Sequence, residues 1–431
     1  MRNILALLSL SILFSINAQI PSPGKKQTKS ILLLNGYAHL GNGKVIENSA
    51  IGFKDGKLTL VADARTIKIN QLVFDTVINI KGKHVYPGFI APNSTLGLVE
   101  IEAVRATRDF AETGAFKPNV RSIVAYNTDS RITPTVRSNG VLIAQITPRY
   151  GFISGTSSIV QLDAWNWEDA AIKQDDGIHM NWMNMYRKNG WWAEKGGISE
   201  NKNYQEQYDK VYKYFEEAKA YAGKKDYLEK NLEFEAMRGL FDGSKTLFIH
   251  ADFSKEIEEA IAFKKYFNIP KVVIVGGYES YLLTDQLKEN KIPVMLRRIH
   301  SLPEYDDDAV DLPFTLPKKL WDAGVLFCLE NSGDMEAMQT RNLPFYAGTA
   351  AAYGLDKEEA LQLITLNAAK ILGIDDFTGS IEPGKDATLF VSDGDALDME
   401  TNNVILAFIQ GRKVNLDNPQ KYLYRKFKTK P

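Results

Sequence analysis

The chain has 431 residues, of which 44% are hydrophobic and 24% are charged, so it can bury a large core and is not a disordered chain. Its formal charge is −1, because 52 basic residues nearly balance 53 acidic ones, and this balance argues against a nucleic-acid partner. Cys328 is the one cysteine, which excludes an intramolecular disulfide, and its apolar neighbours predict a place in the core.

Residues 1–18 have the pattern of a secretory signal peptide. Arg2 supplies a positive start, an apolar run covers residues 4–16, and Ala18 is a small residue at the expected cleavage point. The run is shorter than the roughly 20 apolar residues that span a bilayer. We therefore predict cleavage and export, to the periplasm or the exterior, with a retained N-terminal anchor as the alternative. No membrane span is expected after cleavage.

Short strand-like runs separated by glycine turns occupy residues 30–86. Matching apolar runs occur within residues 384–418, at the other end of the chain. Two distant β segments that flank a long middle part predict one small β-sandwich domain built from both chain ends.

The middle part, residues 87–383, alternates apolar strands with amphipathic helices. One helix is predicted over residues 254–267, with Ser254 as its cap, and another over residues 356–372, with a capping box from Asp356 to Glu359. Repeating β-α order is typical of a (β/α)₈ barrel, and a doubly wound sheet is the alternative.

Residues 165–241 interrupt this alternation and are predicted to be an insertion. Five of the six tryptophans lie in its first part, at positions 165, 167, 182, 191 and 192. The insertion could form a lid over a pocket or a surface for a partner. The pattern favours the plainer interpretation, a satellite hydrophobic cluster beneath long helices.

Residues 85–90 read Val-Tyr-Pro-Gly-Phe-Ile, and residues 379–387 read Gly-Ser-Ile-Glu-Pro-Gly-Lys-Asp-Ala. These and further motifs resemble those of the imidazolonepropionase-like branch of the amidohydrolase superfamily, in which residues 85–90 match the entry into the first barrel strand. The element Gly-Ser-Ile-Glu-Pro-Gly-Lys-Asp-Ala resembles the family's return from the barrel to the β domain, although Thr388 replaces the usual Asp. The C-terminal motifs follow the family's order and spacing at residues 341–345, 347–348, 353–355, 359–361, 365–369 and 379–387.

This resemblance implies a TIM barrel, a hydrolase acting on carbon-nitrogen bonds other than peptide bonds, and zinc or another divalent metal as cofactor. It also implies where the metal ligands should lie. Asn93 and Thr95 occupy the positions of the family's first-strand histidines, and Gly276 occupies that of the sixth-strand histidine. Only His250 matches a family ligand, the fifth-strand histidine, so it is the single predicted metal ligand.

The eighth strand of active relatives ends in an aspartate that binds metal and takes a proton from water. Here Leu329 is followed by Glu330 and Asn331, and Asp334 comes shortly after. Glu330 and Asp334 are therefore the candidate catalytic carboxylates, and Asn331 is a candidate pocket residue. The other four histidines, His39, His84, His179 and His300, are predicted to be structural, although His300 could meet His250 at the barrel mouth.

A catalytic zinc normally needs three protein ligands, so one matching histidine predicts a degraded metal site. Three hypotheses follow. The chain could be a hydrolase with an unusual or single-metal site at His250, or a catalytically inactive barrel that binds a small molecule or pairs with an active homologue as a homo- or hetero-oligomer. It could also use metal-independent chemistry with Glu100, Glu102, Glu330 or Asp334 as general base, which requires a raised pKa in a closed pocket.

Overall fold

A computed structural model describes residues 22–191, 194–224, 229–333 and 335–430. The predicted signal peptide, Trp192 and Asp334 lie outside these ranges. No helix within them is long and apolar enough to cross a membrane.

The first sheet is built from both ends of the chain. It is formed by β1 (Ile31–His39), β2 (Val45–Lys54), β3 (Lys57–Asp63), β4 (Thr76–Asn79), β5 (His84–Pro87), β16 (Leu389–Ser392), β17 (Val404–Ile409) and β18 (Arg412–Lys413). The strand order is β18-β17-β16-β5-β1-β2-β3, and β4 pairs with β1. Buried side chains from the two ends share one core, for example Leu33 and Ile51 with Leu389 and Phe408. The predicted β unit from both chain ends is therefore confirmed.

The second sheet is the barrel. Its strands are β6 (Phe89–Ser94), β7 (Val141–Ile146), β8 (Ile153–Gln161), β9 (Ala171–Asn181), β12 (Thr246–Ala251), β13 (Val272–Gly276), β14 (Val294–Leu296) and β15 (Phe327–Leu329). β10 (Tyr186–Trp191) and β11 (Glu194–Glu200) form a separate hairpin. Cys328 on β15 is fully buried, as its neighbours predict.

Helices cover the barrel strands and connect them. In chain order they are α1 (Thr133–Arg137), α2 (Trp167–Ala170), α3 (Tyr204–Ala222), α4 (Leu232–Asp242), α5 (Ser254–Phe267), α6 (Thr284–Glu289), α7 (Leu312–Asp322), α8 (Glu336–Gln339), α9 (Leu343–Ala352), α10 (Lys357–Gln362), α11 (Leu366–Leu372) and α12 (Pro419–Phe427). Short 3₁₀ turns lie at Gln71–Val73, Arg105–Thr107, Ser122–Ala125, Ser280–Leu282 and Thr340–Asn342.

The barrel departs from strict β-α repetition at its third strand. β8 pairs antiparallel with both β7 and β9, whereas the other neighbours in the barrel sheet pair in parallel. The link between Ile146 and Ile153 is only a few residues long, and a parallel connection needs a dozen or more residues. The short link therefore turns the chain back, and the predicted barrel is confirmed with one reversed strand.

The predicted helix at 356–372 is interrupted, and the backbone at the interruption connects the first barrel strand to the last. The capping box forms as predicted, but α10 ends at Gln362 and α11 begins at Leu366. At the break, the carbonyl of Leu363 accepts from Leu329 N–H on β15 (3.2 Å), and that of Ile364 accepts from Ile90 N–H on β6 (2.9 Å). These two bonds join the first and last barrel strands through the break. Periodicity cannot reveal this, because the carbonyls' partners are distant in sequence.

Two other expectations need correction. Ser254 is the first residue of α5 and its side chain makes no cap, since Glu256 accepts from the N–H groups of Asp252 and Phe253 instead. The predicted insertion at 165–241 contains β9, which pairs with β8 and β12 inside the barrel sheet. The aromatic and charged residues of this segment obscured the strand pattern of β9, whose C-terminal half is buried.

Asp163, just after β8, connects the barrel to the first sheet. Its fully buried carboxylate accepts from Arg137 Nη1 (2.7 Å) and from the N–H of Gly24 (2.8 Å). Its backbone carbonyl accepts from Arg412 Nη1 on β18 (3.0 Å). Removing the carboxylate would leave the buried Arg137 guanidinium without its ion-pair partner.

We expect Asp163→Ala to lower the free energy of unfolding by about 3–5 kcal/mol, because breaking a buried pair leaves an uncompensated charge. Urea unfolding measures the change. The control is Asp209→Ala, at an exposed position on α3, with an expected change within about 0.5 kcal/mol. Equal changes in the two variants would contradict the role assigned to Asp163.

Candidate active site

A cavity of about 1150 Å³ opens at the carboxyl ends of the barrel strands. The residues that line it include Asn181 at the end of β9, His250 near the end of β12, and Gly276 at the end of β13. Arg297 follows β14 and Ser332 follows β15, and both line the same cavity. This face is where barrel enzymes place their active sites.

The loops after β9 and β12 form the cavity walls. Met185 and Tyr186 line one wall, so the β10–β11 hairpin begins at the cavity. Arg297, another lining residue, bonds to Glu304 (2.8 Å) and lies 3.4 Å from Asp252. These ion pairs hold the loops that surround the opening.

Arg149 provides a positive charge at the carboxyl ends of the barrel strands. Its guanidinium donates to the side-chain oxygen of Asn93 (3.0 Å) and to that residue's carbonyl (2.9 Å). It also bonds to Thr147 and forms an ion pair with Glu336 (3.1 Å). The guanidinium thus joins the end of the first barrel strand to the segment after the eighth.

Glu330 follows β15 and is completely buried. Its carboxylate accepts from the Ser332 hydroxyl (2.6 Å) and from the Ser332 N–H, and the Asn93 amide lies 3.4 Å away. Burial, and to a smaller extent the charge of Glu336, raises the pKa of Glu330 to about 7, against the lowering effects of the Ser332 bonds and of Arg149. The carboxyl can therefore exchange a proton near neutral pH.

His250 bonds directly to His179, a residue on β9, with 2.9 Å between His179 Nδ1 and His250 Nε2. Burial, followed by the positive charge of Arg149, lowers the pKa of His250 to about 3. Burial also lowers the pKa of His179 well below its ordinary value. Both imidazoles are neutral at physiological pH, and one nitrogen of each takes part in the hydrogen bond between them.

The structure brings some of the predicted site residues together and separates others. His250 and Gly276 line the cavity, whereas Asn93 and Glu330 meet beneath it. Thr95 is buried, and its hydroxyl has no hydrogen-bond partner within the described ranges. Asn331 turns away from the cavity, because it accepts from the Tyr346 hydroxyl (2.6 Å) and donates to a backbone carbonyl. Asp334 lies outside the described residues.

Sequence reasoning missed three residues of this arrangement: His179, Arg149 as an ion-pair partner, and Glu336. His179 was assigned to the insertion, and recognising β9 as a barrel strand would have placed it beside His250. The suggested meeting of His300 with His250 is wrong, because His300 bonds to Thr349 (2.7 Å).

Residues 317–414 match the family model described as "Amidohydrolase family". This segment contains the C-terminal motifs from 341 to 387. Among curated proteins, no sequence matches the chain. The match covers 98 of the 431 residues, so it shows that this segment resembles the family.

Several solved structures resemble almost the whole chain in fold. An amidohydrolase from Thermotoga maritima MSB8 has a TM-score of 0.74 at 24% identity, over 89% of this chain and 99% of that one. An adenosine deaminase from Xanthomonas campestris with bound Zn has a TM-score of 0.54 at 15% identity, over 95% and 98%. A Xaa-Pro dipeptidase with bound methionine has 0.53 at 14%, over 90% and 100%. At these identities the likeness shows the fold.

The donor set does not fit the zinc that the superfamily resemblance implies. Asn93 offers an amide, Thr95 a hydroxyl, and Gly276 no side chain. The histidines His179 and His250 bond to each other. The Arg149 guanidinium bonds to Asn93, which occupies one of the family's ligand positions. Across the described part of the chain, no three His, Cys, Asp or Glu residues are grouped so that they could hold an ion. The charge of Arg149 would also repel a divalent cation.

We expect protein dialysed against zinc, and then against metal-free buffer, to retain no ion that depends on His250. Metal content by inductively coupled plasma mass spectrometry should be equal in the wild type and in His250→Ala. His300→Ala serves as the control for binding by an imidazole elsewhere. About one ion per chain that disappears only in His250→Ala would contradict this interpretation.

Proposed function

We propose that the chain is a hydrolase of carbon-nitrogen bonds other than peptide bonds, working without a bound metal and using Glu330 as its proton acceptor. The match of residues 317–414 to the amidohydrolase family model supports a hydrolase. The observation that carries the metal-independent form is the sealed Glu330 carboxylate, whose bond to Ser332 connects it to the cavity.

Amide hydrolysis needs a base that takes a proton from the attacking oxygen and an acid that returns it to the leaving nitrogen. Glu330 suits both steps, because its pKa of about 7 allows either form at neutral pH. Ser332 lies between Glu330 and the cavity, so a proton leaving the substrate region reaches the carboxylate through the Ser332 hydroxyl. Such a group contributes about 10²- to 10⁴-fold to the rate.

The order of motifs between residues 341 and 387 supports the imidazolonepropionase-like branch. We infer from this branch that the substrate carries a cyclic amide or a related small carbon-nitrogen group. The cavity is of a size that fits a small organic molecule.

The second candidate is a catalytically inactive barrel that binds a small molecule or pairs with an active homologue. The network of Arg149 with Asn93 and Glu336 favours it, because Asn93, which occupies a family ligand position, is bonded to another side chain of the protein. A protein of this kind would bind ligand in the cavity and turn over none. Export through the predicted signal peptide remains a proposal common to both candidates.

We expect Glu330→Gln to lower kcat/KM by about 10²- to 10⁴-fold, because glutamine cannot take a proton from Ser332. The assay is a panel of cyclic amides, N-acylated amino acids and nitroanilides, with chelator present throughout. The matched control is Asp176→Asn, which removes another buried carboxylate that accepts from a serine, Ser157 (2.8 Å), but does not line the cavity. Loss of activity in both variants, or in neither, would contradict the role of Glu330.

The pH dependence follows from the same carboxyl. The carboxylate form of Glu330 is needed, so kcat/KM should rise with pH through about 7 and then level.

The folded protein also binds the proton of Glu330 more tightly than the unfolded chain, whose carboxyl has the ordinary pKa of 4.5. This contribution to stability is therefore complete below about pH 4.5 and is lost as pH rises through about 7. Urea unfolding should show that Glu330→Gln gains stability relative to the wild type as pH rises across that range. Parallel plots of unfolding free energy against pH for the two proteins would contradict the raised pKa of Glu330.

A further inference from the structure

Ser332 stands between the buried carboxylate and the open cavity. Its hydroxyl donates to Glu330 Oε1 (2.6 Å), and its own N–H holds the other carboxylate oxygen. Glu330 is completely buried, whereas Ser332 is half-buried and lines the cavity. A substrate in the cavity would therefore meet the serine oxygen before it met the carboxylate.

We propose that Ser332 is the nucleophile of this site and forms a covalent acyl intermediate during hydrolysis. This inference rests on the proposed hydrolase function and names the atom that attacks. A serine hydroxyl is a weak nucleophile until a base beside it removes the proton, and nucleophile and base must lie within about 2.6–3.2 Å. The Ser332–Glu330 pair meets this condition.

The loop around Ser332 keeps this geometry. Gly333 has φ of +126°, a conformation that residues with a side chain rarely adopt. A Cβ added at Gly333 would come within 3.1 Å of Arg298 Nη2, so the guanidinium lies close beside the loop. A positive charge at this place can stabilise negative charge that develops on a carbonyl oxygen attacked by Ser332.

The reaction balances with these groups and water. Ser332 Oγ bonds to the carbonyl carbon while its proton passes to Glu330. The carbon-nitrogen bond then breaks, and the protonated Glu330 gives its proton to the leaving nitrogen, which leaves an ester at Ser332. Water attacks the ester, its proton passes to Glu330 and on to the departing serine oxygen, and the acid product is released.

A second serine–carboxylate pair supplies the contrast. Ser157 donates to Asp176 at 2.8 Å, and both residues are fully buried within the barrel wall. Neither residue lines the cavity. The hydrogen bond is similar, but no substrate can reach the Ser157 oxygen. Reactivity at Ser332 and not at Ser157 would therefore depend on the placement of the pair at the cavity.

The test is covalent labelling of the full mature chain with diisopropyl fluorophosphate, read by intact mass and by the mass of the modified peptide. We expect one phosphoryl group per chain, located on Ser332, with labelling at least about 10-fold slower in Glu330→Gln because the serine is no longer activated. Ser157→Ala should label as the wild type does. The label is located in the wild-type protein, so this part of the test does not depend on the folding of any variant.

Hydrolysis by Ser332→Ala separates this inference from the proposed function. We expect kcat to fall at least about 10³-fold, with an unchanged thermal unfolding midpoint. Absence of label on the wild type, or label on another residue, would overturn the assignment of Ser332 as the nucleophile. If Ser332→Ala and Glu330→Gln both lost activity but the wild-type serine took no label, Ser332 would only pass the proton to Glu330 and water would be the attacking group. The metal-independent hydrolase would then stand without the acyl intermediate.

Discussion

The Arg149 guanidinium links the carboxyl ends of the first and eighth barrel strands. It bonds to Asn93 at the end of the first barrel strand and pairs with Glu336 beyond the eighth. Its positive charge contributes to keeping His250 neutral and partly offsets the effect of burial on Glu330. A metal hydrolase concentrates positive charge in an ion held by several ligands. In the metal-independent hydrolase that we propose, the Arg149 side chain carries that charge, and Asn93 and Glu336 are bonded to it.

Much of the fold could be predicted from sequence, because it depends on local patterns. The capping box at Asp356, the apolar strands and the motifs around residues 341–387 all rest on neighbours within a few positions. The reversed strand β8 was missed, although the short link between Ile146 and Ile153 that turns the chain back is a local feature. The break between α10 and α11 could not be predicted, because it depends on backbone bonds, such as that between Ile90 and Ile364, whose partners are distant in the chain.

The candidate site was harder to predict for the same reason. Residue matching identified His250 and Glu330, because motifs fix where the fifth and eighth strands end. It could not find the bond between His179 and His250, which are 71 residues apart, or the contact of Arg149 with Asn93, 56 residues apart. Nor could it give the burial that raises the pKa of Glu330. These properties follow from how the strands pack, and they decide whether a carboxyl can act as a base.

Anomalous X-ray scattering at the zinc absorption edge, from crystals grown with excess zinc, tests the central claim most directly. If Arg149 supplies the charge of the barrel mouth, no anomalous peak will lie near His250, and the guanidinium will remain bonded to Asn93. A strong peak within bonding distance of a His250 nitrogen, with Arg149 displaced from Asn93, would contradict the account and restore metal-dependent chemistry.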